Sequence, residues 1–220
     1  LFDSKGLVVE ERTDLTDRKR YYAHPHPRTV EFAAAVESLK PTAIVGVSGK
    51  PRMFNRQVIE AMSRINKRPI IFSLSNPTSH TECTATDAYT WSEGRAVFAS
   101  GSPFGPVEYG GRTFVSGQGN NAYIFPGVGL GVITSRARRV TVEMFLAAAR
   151  SLAMEVTEED LEKGCIFPSL TRIRDVSAAI ATAVAEVARE QGLAQEALPK
   201  DTEGFMKSRM YEPVYKSRVH

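Results

Sequence analysis

Cysteine is nearly missing: Cys83 and Cys165, far apart in a chain of 220 residues, give neither a disulfide framework nor a cysteine-based zinc site. No apolar run approaches the ~20 residues that a membrane-spanning helix needs. A formal net charge of +3, dispersed along the chain, lacks the concentrated basic surface of a nucleic-acid binder. There is no Ser-His-Asp arrangement, no His-Glu-x-x-His pair and no acidic cluster at metal-ligand spacing. His24 and His26 flank Pro25 in a polar loop and read as solvated. No Met and no signal-type hydrophobic segment opens the chain. "LFDSKGLV" instead runs from an apolar pair straight into a turn, as if a strand were already under way. The expectation is a piece of a longer protein from a reducing compartment. The cytoplasm is the expected location, with mitochondrion or another organelle open because any leader would lie upstream.

The residues present alternate between strand and helix. Short apolar runs at Leu1–Phe2, Ala43–Val47, Ile70–Leu74 and Ala96–Ala99 predict strands buried on both faces, as in a parallel sheet. Between them, Thr29–Lys40 and Phe54–Ile65 carry helical patterns, so the fold expected is α/β with βαβ units and a doubly wound, mainly parallel sheet. Residues 101–132 hold nine glycines in 32 positions, too many for a helix and too apolar for a linker. Helices are expected again at Val142–Leu152, Glu158–Lys163 and Ile173–Glu190. In the last of these Ile173, Val176, Ile180, Val184 and Val187 form one apolar stripe. The division expected is a dinucleotide-binding domain over 1–140 and a helical region with its tail over 141–220. The tail from Pro199 onward is basic and aromatic and reads as an arm that docks on a neighbouring subunit.

In an open parallel sheet, ligands bind beyond the carboxyl ends of the strands. Three segments qualify: Asp3-Ser4-Lys5, Gly46-Val47-Ser48-Gly49 and Ser75-Asn76-Pro77-Thr78. Hydroxyl and ammonium groups at Ser4, Lys5 and Lys19 suit a ribose 2′-phosphate, while Asp3 alone would repel one. The plainer alternative is a strand-end turn with solvated charges. "PGVGLGV" (126–132) imitates a phosphate loop but ends in Val132, where a Gly or Ala is required. It comes after the sheet is complete and is read as close helix packing. Asn120 and Asn121 follow two glycines, and their amides can both donate and accept. Taken alone, a hydrogen-bonded turn explains them better, since Gly-Asn is common in turns.

Five ordered blocks then carry a resemblance: "LFDSKGLV", "KPTAIVGVSG", "RPIIFSLSNPTSHTECTATDAYTWSEGRAVFASGSPFGPVEY", "GQGNNAYIFPGVGLG" and "FPSLTRIRDVSAAIA". Together they resemble the C-terminal half of malic enzymes, from Leu1 to about Arg189, with a weaker echo in "FMKSRMYEPVY". The resemblance implies a Rossmann-like domain lacking its first βα unit, with a helical C-terminal region. It further implies oxidative decarboxylation of malate to pyruvate and CO2, with reduction of NADP or NAD and Mg2+ or Mn2+ in the full enzyme. Asn76, Asn120 and Asn121 are the implied substrate contacts, Asn76 and Asn120 in one pocket. Asp3, Ser4, Lys5, Lys19, Val47, Ser48, Gly49, Asn76 and Asn120 are the candidate cofactor contacts. A lysine at position 19 accompanies NADP preference in the family, so NADP is favoured. Thr81 is expected to cap the helix that follows, with Thr84 in its first turn.

No residue here matches the family's general base, its metal ligands or its glycine-rich cofactor loop. The chain by itself is therefore expected to be inactive, and the full enzyme a homo-oligomer, dimer or tetramer, with no nucleic-acid or membrane partner. A stand-alone nucleotide-binding or regulatory module and a structural piece with a vestigial ligand surface are the competing readings.

Overall fold

A computed structural model describes residues 1–212. Two compact units divide the chain: Leu1–Gly119 with Glu159–Ile166, and Asn120–Glu158 with Phe167 onward.

The first unit opens with a two-stranded antiparallel ribbon, β1 (Phe2–Asp3) against β2 (Gly6–Leu7), followed by the short helix α1 (Asp17–Arg20). Then come α2 (Phe32–Leu39), β3 (Ala43–Gly46), α3 (Arg56–Ile65), β4 (Ile70–Ser73), α4 (Ala85–Trp91) and β5 (Val97–Ser100). A hairpin of β6 (Val107–Tyr109) and β7 (Arg112–Phe114) leads to β8 (Gly117–Gln118), and α7 (Glu158–Glu162) lies later in the chain. Strands β3, β4, β5 and β8 form one parallel sheet in that order. The expected strand–helix alternation is therefore present.

Register places Ile44, Ile71 and Phe98 in one row across the sheet. They form a single core with Val58, Ile59 and Met62 of α3 and Ala85, Ala88 and Tyr89 of α4. Ile59, Ile71 and Phe98 are fully buried, and such side chains contribute about 1.5–3 kcal/mol each relative to exposure. Caps fix where the two helices begin: Asn55 accepts from the Val58 N–H at 3.1 Å for α3, and Thr84 forms a capping box with Asp87 for α4.

Two expectations are corrected here. The first strand is not a member of the parallel sheet; Phe2–Asp3 pairs antiparallel with its own turn partner, because the turn at Ser4-Lys5 reverses the chain at once. Nor is β3 buried on both faces. It alternates, with Ala43 and Val45 exposed, since within this unit α3 and α4 pack on the Ile44 face.

The second unit contains α5 (Phe125–Ser135), α6 (Val142–Met154), α8 (Ile173–Glu190) and α9 (Thr202–Arg209). Val176, Ile180 and Val184 of the expected stripe are fully buried, against Met144 and Ala148 of α6. The glycine-rich stretch is corrected as well, for its last quarter, from Phe125, is helical. A Cβ at Gly127 would lie 2.6 Å from Ile180 Cβ, and one at Gly131 would lie 2.6 Å from the Ala181 carbonyl. These glycines bring α5 onto α8, as the packing reading of 126–132 held. The tail also differs from expectation: Asp201 caps α9, whose Met206 is buried against Ala181 and Ala185 of α8. That part docks on its own unit, and residues 213–220 lie outside the described residues. Among the described residues, no helix is long and apolar enough to cross a membrane.

Candidate functional site

Parallel pairing puts Gly46, Ser73, Ser100 and Gln118 in one row at the carboxyl ends of β3, β4, β5 and β8. The loops leaving these strands are therefore held at one end of the sheet. Val47, Ser48 and Gly49 leave β3 exposed, and a Cβ on Gly49 would meet nothing within 4 Å. Two close approaches shape this edge. A Cβ on Gly101 would lie 2.2 Å from the Leu74 carbonyl, and one on Gly46 would lie 2.4 Å from Cδ of Glu82.

Asn76 is exposed at the end of β4, and its Oδ1 accepts from the Ser102 hydroxyl at 2.6 Å. The carbonyl end of the amide is thereby engaged. Its nitrogen forms no hydrogen bond among the described residues and presents two donors, suited to a carboxylate.

Beneath these loops lies a residue that the sequence did not single out. Glu82 is fully buried. Its Oε1 accepts from the Ser75 hydroxyl at 2.5 Å and the Ser48 N–H at 3.4 Å. Its Oε2 accepts from the Ser73 hydroxyl at 3.1 Å and the Ser75 N–H at 3.4 Å. Ser75 Oγ in turn accepts from the Gly49 N–H at 2.9 Å. The only sequence signal was a carboxylate inside a loop rich in Ser and Thr, which reads as solvated until the fold places it. The expected cap is corrected in the same segment. Thr84, not Thr81, caps α4, because Thr81 Oγ1 is turned inward, 2.7 Å from Ser73 Oγ and donating to the Cys83 carbonyl at 3.0 Å.

The other group of candidates gathers at the β1–β2 turn. Asp3 Oδ1 accepts from the Lys5 N–H at 3.0 Å, closing the turn. The Arg12 guanidinium, buried, grips both oxygens of Asp3 at 2.9 and 3.2 Å and both oxygens of Asp14 at 3.0 Å. Helix α1, capped by Thr16, brings the Lys19 ammonium onto Asp3, while Lys5 pairs with Asp14 at 2.8 Å. Arg12 foremost holds the carboxyls of Asp3 and Asp14 well below the usual carboxylate range, and Asp14 foremost raises the guanidinium. Three cations thus face two carboxylates, and the turn is net positive. Ser4 is exposed beside them. Sequence reasoning missed Arg12 and Asp14, which read as part of a charged, solvated loop.

No hydrogen bond or ion pair joins this turn to the loops after β3 and β4 among the described residues. Asn120 and Asn121 belong to the second unit. There Asn120 Oδ1 accepts from the Ala122 N–H at 2.9 Å, capping the short turn Asn121–Tyr123, and Asn121 is exposed.

The donor sets permit a test of the implied cofactors. An open glycine, exposed backbone and a net-positive turn suit a dinucleotide with an added phosphate. A divalent metal is not served: among the described residues no group of three His, Cys, Asp or Glu side chains could hold one.

Comparison with known proteins agrees with the geometry. The family description "Malic enzyme, NAD binding domain" matches residues 1–189. The chain is 56% identical over 219 residues to the chloroplastic NADP-dependent malic enzyme of Oryza sativa, covering 99% of this chain and 34% of that protein. It is 55% identical over 218 residues to NADP-dependent malic enzyme 1 of Arabidopsis thaliana, covering 98% of this chain and 38% of the relative. This chain therefore spans little more than a third of the relatives' length. Among solved structures, the malic enzyme of Entamoeba histolytica superposes with a TM-score of 0.72 at 24% identity, covering 94% of this chain and 40% of that one, which supports the fold. The names also correct the expected cytoplasmic location, since the similar proteins of rice, maize and Flaveria pringlei are chloroplastic.

Proposed function

Because the chain belongs to the malic enzyme family, we propose that it forms the nucleotide-binding part of a full-length protein that oxidises malate and decarboxylates the product to pyruvate. NADP is the proposed cofactor; when bound, it accepts the hydride. Ser4, Lys5 and Lys19 hold its 2′-phosphate, with Asp3 neutralised by Arg12 so that it does not repel the anion. Val47, Ser48 and Gly49 offer backbone to the remainder of the cofactor.

Asn76 donates to a malate carboxylate, orienting the substrate without adding a charge that must be desolvated. Asn120 and Asn121 are proposed as substrate contacts, Asn120 also as a cofactor contact, from the second unit. Residues 1–140 act as the nucleotide-binding domain in this reading, and 141–220 as the helical region. The full-length protein is proposed to be a homo-oligomer, dimer or tetramer; exposed Phe145 and Leu146 on α6 support this, and light scattering on the purified protein tests it.

The observation that carries the proposal is the Asn76 amide beyond the carboxyl end of a parallel sheet, its oxygen held by Ser102 and its nitrogen without a hydrogen bond among the described residues. The decisive experiment assays malate-dependent NADP reduction by the full-length protein. Reduction with malate, at least tenfold slower per unit malate in Asn76→Ala, supports the proposal. Activity with another hydroxy acid but not malate, or an Asn76→Ala protein with wild-type kinetics, defeats it.

A further inference from the structure

Glu82 is placed at a depth where a carboxyl group needs a reason. Three of its four donors belong to the two loops proposed to hold the ligands, and the fourth, the Ser73 hydroxyl, to the end of β4. The Ser48 N–H comes from the loop after β3, and the Ser75 N–H and hydroxyl from the loop after β4. Ser75 relays the connection to the Gly49 N–H. Asn76 is the next residue along. Gly46 is part of the arrangement, because any side chain there would occupy the space of Glu82. The loops therefore meet through a shared acceptor, although they are 26 residues apart between Gly49 and Ser75.

We propose that Glu82 is the positioning residue of the strand-end site, fixing the loops after β3 and β4 so that Asn76 and the Ser48–Gly49 backbone face the ligands. The inference rests on the malate reading for what the loops hold, but not for the hold itself. The chemistry explains why a carboxylate is required. Each oxygen of Glu82 accepts from one hydroxyl, which can rotate, and one backbone N–H, which cannot. A glutamine of the same shape must turn its NH2 group toward one of those N–H groups whichever way its amide flips. Donor then faces donor, and one loop is released. Aspartate is one methylene shorter and cannot reach the same four donors from the same backbone position.

The test uses the full-length protein with Glu82→Gln and Glu82→Asp, alongside Asn76→Ala and the double variant Glu82→Gln/Asn76→Ala. Amide hydrogen exchange is the first readout. Faster exchange confined to 47–49 and 74–76 in Glu82→Gln is expected; unchanged exchange there, or acceleration throughout the first unit, overturns the proposal. Malate kinetics are the second. The kcat/KM for malate should fall about tenfold or more in Glu82→Gln, as for a lost hydrogen bond to a charged group. That loss should nearly vanish in the Asn76→Ala background, because the two residues act in one chain. A loss that adds fully to that of Asn76→Ala and follows the melting temperature overturns the positioning role. Should Asn76→Ala leave malate kinetics untouched while Glu82→Gln still loosens both loops, the hold by Glu82 stands and the substrate reading of Asn76 falls instead.

Discussion

The Ser102 hydroxyl donates to Asn76 Oδ1 at 2.6 Å, and this contact engages the oxygen of the amide and leaves its nitrogen, near Gly101, as the end still able to donate. Without it the amide can flip and offer an acceptor where a carboxylate is to bind. The effect of Ser102→Ala should thus be kinetic more than structural. The KM for malate is expected to rise several-fold in the full-length protein, less than in Asn76→Ala. For Asn76→Ala the expected loss is tenfold to over a hundredfold in kcat/KM, from a bond worth about 1.5–3 kcal/mol. Part of it should lie in kcat, because a tilted malate no longer aims its hydride. A thermal melt on both variants separates this from turn stabilisation: a depressed melting temperature with normal kinetics would remove Asn76 from the site.

Lys19 lies on Asp3 at the β1–β2 turn, and less than half of its side chain is exposed. Replacing it by glutamine removes one cation from a turn where three face two carboxylates. The KM for NADP is expected to rise tenfold or more, and that for NAD to change much less, since only NADP carries the added phosphate. An unchanged NADP/NAD ratio would show that Lys19 serves Asp3 alone.

Arg12 gives a prediction about pH. Its guanidinium depresses the carboxyls of Asp3 and Asp14 in the folded protein. A carboxyl depressed on folding contributes stability above its unfolded value, near pH 4, and loses it as pH falls through the lower folded value. The melting temperature of Arg12→Met should therefore lie furthest below wild type from pH 5 to 7. The gap should narrow below about pH 4, toward a residue left by the lost bonds to the Gly6 and Leu7 carbonyls. A gap that stays constant over that range would show that Arg12 acts by packing rather than by charge.

Much of this architecture was readable because periodicity reports burial. The strands that carry Ile44, Ile71 and Phe98 follow from short apolar runs, and the Val176, Ile180 and Val184 stripe from the spacing of apolar residues. Family resemblance then assigned roles to Asn76 and Lys19 that spacing could not. Glu82 and Arg12 escaped for a common reason: a charged residue in a polar loop looks solvated until long-range contacts bury it. The partner of Glu82 at Ser48 is 34 positions away in sequence, and no local pattern encodes that pairing. The cap of α4 was misassigned by three residues because several threonines precede the helix, and only tertiary contacts show Thr81 turned toward Ser73.

Helix α5 offers a test in which neighbouring glycines should respond with opposite sign. Alanine is favoured over glycine in a helix interior by about 0.8–1.0 kcal/mol, so Gly→Ala stabilises wherever a methyl group has room. At Gly129 nothing lies within 4 Å of the added Cβ, and Gly129→Ala should raise stability by up to that amount. At Gly127 the same atom would sit 2.6 Å from Ile180 Cβ and 2.9 Å from the Ser177 carbonyl. At Gly131 it would sit 2.6 Å from the Ala181 carbonyl. Backbone and branched carbon cannot withdraw without moving α5 away from α8, and overpacking of this kind costs typically about 1–3 kcal/mol. That exceeds the gain in helix propensity, so Gly127→Ala and Gly131→Ala should each lower the melting temperature while Gly129→Ala leaves it equal or higher. Denaturant melts of the three single variants measure all of this in one experiment. Equal destabilisation at all three positions would mean that the glycines serve flexibility along the helix. The close approach to α8 would then have no energetic consequence.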